Sequence, residues 1–305
     1  MTKLKTGLIG AGVFGGFHAG KIAGSPLTEF LGVYDPDLVR AEVITEKHAV
    51  TAYTKEADLL AACDALIIAC PATYHADLVE RALHADCHIM VEKPLALTGE
   101  RADQLVALAA AHNKVVQVGH QERFVLQAMG LFDIPEVPSA IQAVRAGPPA
   151  PDGRAGDVSV IWDLMTHDLD MTAKLMGMPE RLEAVGRRAH TAHLDAAEAK
   201  LQYTDGVAEL MASRCHEARE RHMTLTYPSG TIAIDFLTRE IQNTTPFQVR
   251  ADISEQMPDP LGAADEAFFA AASGHIDSPI PGQEAARAVH LAEQIEHSAL
   301  QMIGA

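Results

Sequence analysis

The sequence is short of positive charge. It holds 24 lysines and arginines against 41 aspartates and glutamates, for a formal net charge of -17 at pH 7. Nucleic acids and anionic membranes are bound by basic surfaces, so this charge argues against both as general partners. A small anionic ligand remains compatible, because the local charge of a binding site can oppose that of the whole chain.

Cysteine is scarce as well. The four cysteines show no CxxC spacing, and so few in 305 residues indicate neither a disulfide framework nor a structural zinc site. The histidines are scattered, and the segment 216–222, "HEARERH", is spaced poorly for two ligands on one helical face. No metal site is therefore expected.

Long hydrophobic runs are also lacking. No uninterrupted apolar segment approaches the length of a membrane span. The N-terminal "MTKLKTGLIGAG" has an apolar run too short for a signal peptide and leads into a glycine-rich turn, which indicates a strand. The sequence thus predicts a soluble cytoplasmic protein with no membrane partner, long enough for two domains.

Within the first 120 residues, short apolar runs alternate with amphipathic segments. This alternation predicts a parallel sheet covered by helices on both faces, which is a doubly wound Rossmann domain over 1–120. The expected strands are 5–10, 30–35, 64–70, 88–93 and 115–119, and the expected helices are 14–24, 37–47, 55–62, 74–86 and 99–112.

After residue 120 the pattern changes. A Pro/Gly-rich stretch over 145–157 predicts a loop, and long alternating runs between 181 and 237 predict a mostly antiparallel sheet open on at least one face. Helices near 262–273 and 283–302 end the chain. We expect 121–305, including the helices within 262–302, to form an α+β domain that binds substrate and joins copies into a homodimer or homotetramer.

A nucleotide site is indicated directly after the first strand. Gly10, Gly12 and Gly15 follow the G-x-G-x-x-G pattern and open a helix, so they predict a tight turn whose backbone approaches a pyrophosphate. Asp35 ends the second strand at the spacing expected of an acid that binds the adenosine ribose, and its charge favours NAD over NADP. Val13 and Phe14 lie within the same turn and are also expected to contact the cofactor.

Other cofactor contacts are expected at the carboxyl edge of the parallel sheet, where ligands bind in such folds. His75 can instead be a solvated or capping histidine, and Glu122 can pair with Arg123. The residues expected to contact the cofactor there are Cys70, Pro71, Ala72, His75, Glu92, Lys93 and Gln121.

The segment 156–171, "GDVSVIWDLMTHDLDM", carries ionisable groups in an apolar setting. If it is helical, Asp163, His167 and Asp170 form one polar stripe, and buried ionisable groups are either paired or functional. Trp162 can pack in the core or stack on a ring. Asp170, the furthest along, is expected to cap or pair within its domain.

These motifs together resemble the Gfo/Idh/MocA oxidoreductase family: the Rossmann fingerprint, "EKP" at 92–94, and an Asp-x-x-x-His pair in a second domain. The resemblance extends over nearly the whole chain. It implies hydride transfer between a sugar or polyol hydroxyl and NAD(P), with Lys93, Asp163 and His167 as the catalytic group.

Two segments, "GHQERF" (119–124) and "GRAGDVSVIWDLMTHDLDM" (153–171), resemble the branch that oxidises the 3-hydroxyl of UDP-N-acetylglucosamine or its uronic acid. In that branch the 3-keto product feeds a transaminase on the way to 2,3-diamino sugars of lipid A or O-antigen. Arginines suit diphosphates, so candidate substrate contacts are Arg123, Arg145 and Arg154, beside Lys93, Asp163 and His167.

Alcohol oxidation requires a base for the hydroxyl proton. His167 has a suitable ordinary pKa, Asp163 can orient its ring or bind a sugar hydroxyl, and Lys93 can stabilise alkoxide character or itself be the base. Two other hypotheses remain open. One is a dehydrogenase of a free sugar or inositol; the other is a dinucleotide-binding regulator without catalysis.

Overall fold

The computed structural model describes residues 2–150 and 156–303. The chain divides into two compact units, one formed by 1–121 with 259–286 and the other by 122–258 with 287–305. Among the described residues, no helix combines the length and the apolar character that crossing a bilayer requires.

A six-stranded parallel sheet forms the centre of the first unit, with the order β3-β2-β1-β4-β5-β6. The inner strands are apolar on both faces, as a sheet covered by helices on both sides requires; all four residues of β4, for example, are fully buried. The strands are β1 (Leu4–Ile9), β2 (Thr28–Tyr34), β3 (Thr51–Tyr53), β4 (Ala65–Ile68), β5 (His88–Val91) and β6 (Val116–Val118).

The helices of this unit lie between the strands, as the sequence predicts. The doubly wound architecture is confirmed, and only the three-residue edge strand β3 was not predicted. The helices are α1 (Val13–Gly24), α2 (Leu38–His48), α3 (Glu56–Ala62), α4 (His75–His84) and α5 (Gly99–Ala111), followed much later in the chain by α8 (Pro260–Ala272).

The segment 259–286 belongs to the first unit rather than to the second, where the sequence placed the helices of 262–302. Hydrogen bonds between the edge strand β6 and this segment account for the placement. Gln117 is fully buried on the edge strand β6, and its amide donates to the carbonyl of Ala264 at 2.8 Å while its carbonyl accepts from Ser278. The backbone N–H of Val118 also donates to Ile280, so the returning chain covers the open edge of the sheet.

The second unit is built on a seven-stranded sheet of order β13-β12-β11-β7-β10-β9-β8. Its pairs are antiparallel except β7 with β10, which confirms the predicted mostly antiparallel sheet. The strands are β7 (Ala140–Ala146), β8 (Arg181–Arg187), β9 (Ala196–Tyr203), β10 (Gly206–Ser213), β11 (Glu220–Tyr227), β12 (Gly230–Asp235) and β13 (Ile241–Asn243).

The helices of the second unit are α6 (Glu122–Met129), α7 (Thr166–Met176) and α9 (Gly282–Ile303), whose first turn still falls in the first unit. A π-helical turn, Ile161–Met165, leads into α7. Trp162 in this turn is buried and donates to Glu296 of α9 at 2.5 Å, which favours the core role over ring stacking.

The loop predicted over 145–157 is wrong at its start. Arg145 and Ala146 are the last residues of the central strand β7 and are buried. The Pro/Gly composition obscured this strand, because a buried arginine at a strand end has the same sequence appearance as a loop residue. Arg154, expected to contact substrate, lies outside the described residues.

Candidate functional site

The glycine-rich turn after β1 has the geometry that a close backbone approach demands. Gly10 has φ of +98°, a conformation that side chains other than hydrogen rarely adopt. A Cβ at Gly15 would lie 2.0 Å from the carbonyl oxygen of Gly10, so α1 packs directly on the turn. At Gly12, by contrast, an added Cβ would meet no described atom within 4 Å, and the backbone there is open to a ligand.

The start of α1 is suited to phosphate. No side chain of the described residues caps it, its first turn holds no acidic residue, and Gly12, Val13 and Phe14 are exposed. The Asp35 carboxylate accepts from the N–H of Ala11 at 2.7 Å, which fixes it beside the turn. Each carboxylate oxygen accepts more than one hydrogen bond, so Asp35 can also bind ribose hydroxyls. These residues fit NAD, with the pyrophosphate at the helix N-terminus.

The loop after β4 contains Cys70, Pro71 and Ala72. Burial raises the pKa of the Cys70 thiol to about 12, which disfavours the thiolate. The ring nitrogens of His75 lie 2.7 Å from the carbonyl oxygen of Pro94 and 2.9 Å from that of Cys70. The buried ring therefore joins two loops of the carboxyl edge. Burial lowers the pKa of His75.

Glu92, one of the residues expected to contact the cofactor, is one end of a buried cluster. The His18 ring on α1 lies 3.2 Å from Glu92 through Nε2 and 2.9 Å from Asp265 on α8 through Nδ1. Burial alone would lower the pKa of His18, but the two carboxylates raise it to about 10, so the ring is an imidazolium at neutral pH. Burial opposes ionisation of Glu92, yet the hydrogen bond from His18 holds the pKa of that carboxyl low.

The residue after Glu92 is Lys93, expected at both cofactor and substrate. Lys93 leaves β5 directly after Glu92, is half-buried, and precedes the buried Pro94. The carboxylate of Glu92 is packed so closely against Gly119 that a Cβ there would lie 2.8 Å from it. Gln121, which is also expected to contact the cofactor, is the last residue of the segment 1–121 in this unit.

In the second unit, Asp163 and His167 flank the change from π-helix to α-helix and are both partly exposed. The sequence predicted an uninterrupted helix. A π turn uses i→i+5 hydrogen bonds and is found frequently at functional sites. It alters the angle between residues four apart, so the predicted stripe of Asp163, His167 and Asp170 is not a regular α-helical face.

Two of the arginines expected to contact phosphate, Arg123 and Arg145, form buried ion pairs. Arg123 is buried and donates twice to Asp170, from Nε at 2.7 Å and from Nη2 at 2.6 Å. Asp170 thus pairs within its domain, as expected. Arg145 is buried and donates to both Glu122 and Asp168, so Glu122 pairs with Arg145. Both guanidinium groups thus bind carboxylates of their own unit.

Sequence reasoning missed His18, Asp265 and Asp168, and it assigned Arg145 to substrate rather than to a buried cluster with Glu122 and Asp168. His18 carries one available signal, since it lies one turn after Gly15 on a helix face that must contact the sheet. Asp265 carries none, because its partner is 247 residues away.

The chain belongs to the Gfo/Idh/MocA oxidoreductase family, and its first unit is an NAD-binding Rossmann domain. The family model, described as "Oxidoreductase family, NAD-binding Rossmann fold", matches residues 4–120. UDP-N-acetylglucosamine 3-dehydrogenase from Acidithiobacillus ferrooxidans is 34% identical over 248 residues, which cover 79% of this chain and 77% of that protein. This membership confirms the predicted family and enzyme class.

The solved structure of that dehydrogenase covers 100% of both chains with a TM-score of 0.89 and 31% identity. Inositol 2-dehydrogenase from Rhizobium meliloti is 30% identical over 185 residues, covering 57% of this chain and 55% of its own. A dehydrogenase from Chromobacterium violaceum, solved with NADH and UDP-GlcNAcA, shares the fold at a TM-score of 0.85 and 18% identity, covering 98% and 94% of the two chains.

Substitution of Gly12 tests the cofactor turn. Because its backbone is compatible with alanine and the added methyl meets open space, Gly12→Ala should unfold thermally like the wild type. The methyl should obstruct the pyrophosphate and weaken NAD binding about tenfold or more in calorimetry. Gly16→Ala is the matched control, since its Cβ also meets no described atom within 4 Å. Equal NAD affinity in both variants would contradict the assignment.

Substitution of His18 tests the buried cluster. Its removal leaves two buried carboxylates without their cation, so His18→Ala should lose about 3–5 kcal/mol in urea denaturation followed by circular dichroism at pH 6. Lys21→Met breaks the more exposed pair with Asp259 between the same two helices and should lose about 1 kcal/mol or less.

The pH dependence follows from the raised pKa of His18. Its stabilisation is complete below about pH 6.5, the ordinary value, and is lost as the pH rises from there through about 10. The difference in stability between wild type and His18→Ala should therefore narrow over that range. A constant difference from pH 6 to 10 would show that the ring is not charged.

Proposed function

We propose that the protein is an NAD-dependent dehydrogenase that oxidises the 3-hydroxyl of a UDP-linked N-acetylated sugar to a 3-keto sugar nucleotide. The observation that carries the proposal is the similarity to UDP-N-acetylglucosamine 3-dehydrogenase, at 34% identity over 79% of the chain and with full structural coverage. A 3-keto product suits a transaminase, which would give a 2,3-diamino sugar of lipid A or O-antigen type.

The proposed roles follow from the bonds that change. The hydroxyl loses its proton and the adjacent carbon loses hydride, so a carbonyl forms. NAD, when bound, accepts the hydride at its nicotinamide ring. His167 takes the proton, Lys93 stabilises the negative charge that develops on oxygen, and Asp163 binds a neighbouring hydroxyl. The turn of Gly10, Gly12 and Gly15, with Asp35, holds the dinucleotide.

A polyol dehydrogenase is the second candidate. It is supported by the inositol 2-dehydrogenase relatives, which match over little more than half of this chain. The coverage favours the nucleotide sugar, because the match to the UDP-N-acetylglucosamine enzyme is longer and more identical. A regulator without catalysis is the third candidate and would use the Rossmann unit alone.

A substrate screen distinguishes the three. Purified protein with NAD is assayed by NADH absorbance against UDP-N-acetylglucosamine, its uronic acid, UDP-glucose, N-acetylglucosamine, glucose and myo-inositol. We expect turnover of a UDP-linked N-acetylated sugar and little of the free sugars. Turnover of inositol alone would support the second candidate. NAD binding without turnover of any compound would support the third.

The same assay examines the proposed base. His167→Ala should lose about 100-fold or more of kcat, because base catalysis contributes that much, and should bind NAD as tightly as the wild type. Lys93→Met should also lose kcat. A His167→Ala rate near that of the wild type would leave Lys93 as the base.

We also propose that the sheet of the second unit joins copies of the chain, in a homodimer or homotetramer. One face of the sheet carries the cross-strand row Val185–Glu198–Met211–Val144–His222–Asp235. Val185 is 49% exposed, and the apolar Met211 and Val144 at the centre are partly exposed. Apolar side chains in the middle of a polar-rimmed face favour association.

Sedimentation equilibrium tests this proposal. The wild type should be a dimer or tetramer at micromolar concentration. Met211→Lys, which keeps an unbranched side chain but adds a charge to the central row, should have a lower mass. Val137→Lys alters a residue that is 67% exposed outside the strands and should keep the wild-type mass. A monomeric wild type, or an unchanged mass for Met211→Lys, would overturn the proposal.

A further inference from the structure

Glu122 brings a carboxylate close to the ring of His167. The distance from its Oε1 to His167 Nδ1 is 3.7 Å, and both side chains are largely buried. At this distance the two groups form an ion-pair contact rather than a hydrogen bond. A small rotation of the ring can bring them within hydrogen-bonding distance. Glu122 opens α6, whereas His167 lies on α7, so the contact is made in the tertiary structure and not along one helix.

The Glu122 carboxylate is rigidly held. Arg145 on β7 donates to it twice, from Nη1 at 2.7 Å and from Nη2 at 2.7 Å. The same guanidinium donates to Asp168 through Nε at 3.1 Å and Nη2 at 2.9 Å. Asp168 follows His167 in the chain. One buried arginine thus fixes both the carboxylate and the backbone that carries the ring.

The surrounding charges keep Glu122 ionised. Burial opposes its ionisation, but Arg145, His167 and Arg221 together lower the pKa of Glu122 to about 2. Arg221 lies opposite Arg145 in the sheet register. On α7 itself, Asp168 is bonded to Arg145 and Asp170 to Arg123, and Asp163 precedes them in the π turn.

We propose that Glu122 is a positioning residue for His167, keeping the proton on Nδ1 so that Nε2 is the base and stabilising the imidazolium formed when Nε2 takes the hydroxyl proton. The inference rests on the proposed function for the reaction that it serves. In its chemistry it matches the carboxylate that orients a catalytic histidine in hydrolases. Of the two roles considered for Asp163, orienting the ring or binding a sugar hydroxyl, the second is then assigned to it.

The test is Glu122→Gln, which keeps the shape and removes the charge. We expect kcat to fall about 100-fold with the KM for NAD within twofold of wild type. The midpoint of the acidic limb of the pH–rate profile should move about one pH unit lower, because the imidazolium loses a facing carboxylate. Glu122→Asp retains the charge and should recover part of kcat and of the wild-type profile.

The matched control is Asp170→Asn, which disturbs another buried arginine–carboxylate pair of the same unit. It should lower the thermal midpoint without moving the pH profile. If Asp170→Asn moves the profile as far as Glu122→Gln does, the effect is general disruption and the proposal fails.

A second measurement is independent of turnover. The ring of His167 is titrated by NMR in wild type and in Glu122→Gln, with His167→Ala identifying its resonances. A lower midpoint in Glu122→Gln supports the proposal even if no nucleotide sugar is oxidised, in which case only the proposed function fails. An unchanged midpoint, or a Glu122→Gln enzyme with wild-type kcat and profile, overturns the positioning role.

Discussion

A buried imidazolium between two carboxylates is the interaction on which the first unit depends. His18 lies on the helix that opens the nucleotide turn, Glu92 at the end of β5, and Asp265 on a helix from the far end of the sequence. Apolar packing alone tolerates small shifts of helix against sheet. A buried cation does not, since moving it away from either carboxylate leaves a desolvated charge. The cluster therefore fixes the position of the phosphate-binding helix relative to Lys93.

The second unit also contains a buried cation bonded to two carboxylates, but here the cation is an arginine rather than a histidine. Arg145 is buried at the end of a central strand and bonded to two carboxylates from two different helices. The planar guanidinium donates to both carboxylates at once, a geometry that lysine cannot reproduce. Arg123 and Asp170 form a second such pair beside it. Polar groups in this core specify which helix faces which strand, and apolar residues supply most of the stabilisation.

Local patterns explain what could be predicted. Alternating apolar runs and glycine spacing are properties of short segments, so they predicted the Rossmann strands, the nucleotide turn and the mostly antiparallel sheet. The partners of buried charges are not local. Nothing in the segment around Asp265 identifies His18, and nothing in "RAGPPAP" shows that Arg145 ends a central strand. The return of 259–286 to the first unit has the same origin, because it satisfies Gln117, a polar residue that an apolar strand pattern does not explain.

Tertiary contacts distinguish the carboxylates near His167 from one another. The polar stripe seen in the sequence could not do so. Asp168 and Asp170 follow His167 on α7, and each is bidentate to a buried arginine from another element, Arg145 on β7 and Arg123 on α6. Glu122 is bidentate to Arg145 as well, and its Oε1 also lies 3.7 Å from Nδ1 of His167. A fixed anion beside one nitrogen makes the two nitrogens of a histidine unequal. That inequality, rather than the presence of an acid four residues earlier, is the physical requirement for a histidine to act as a directed base.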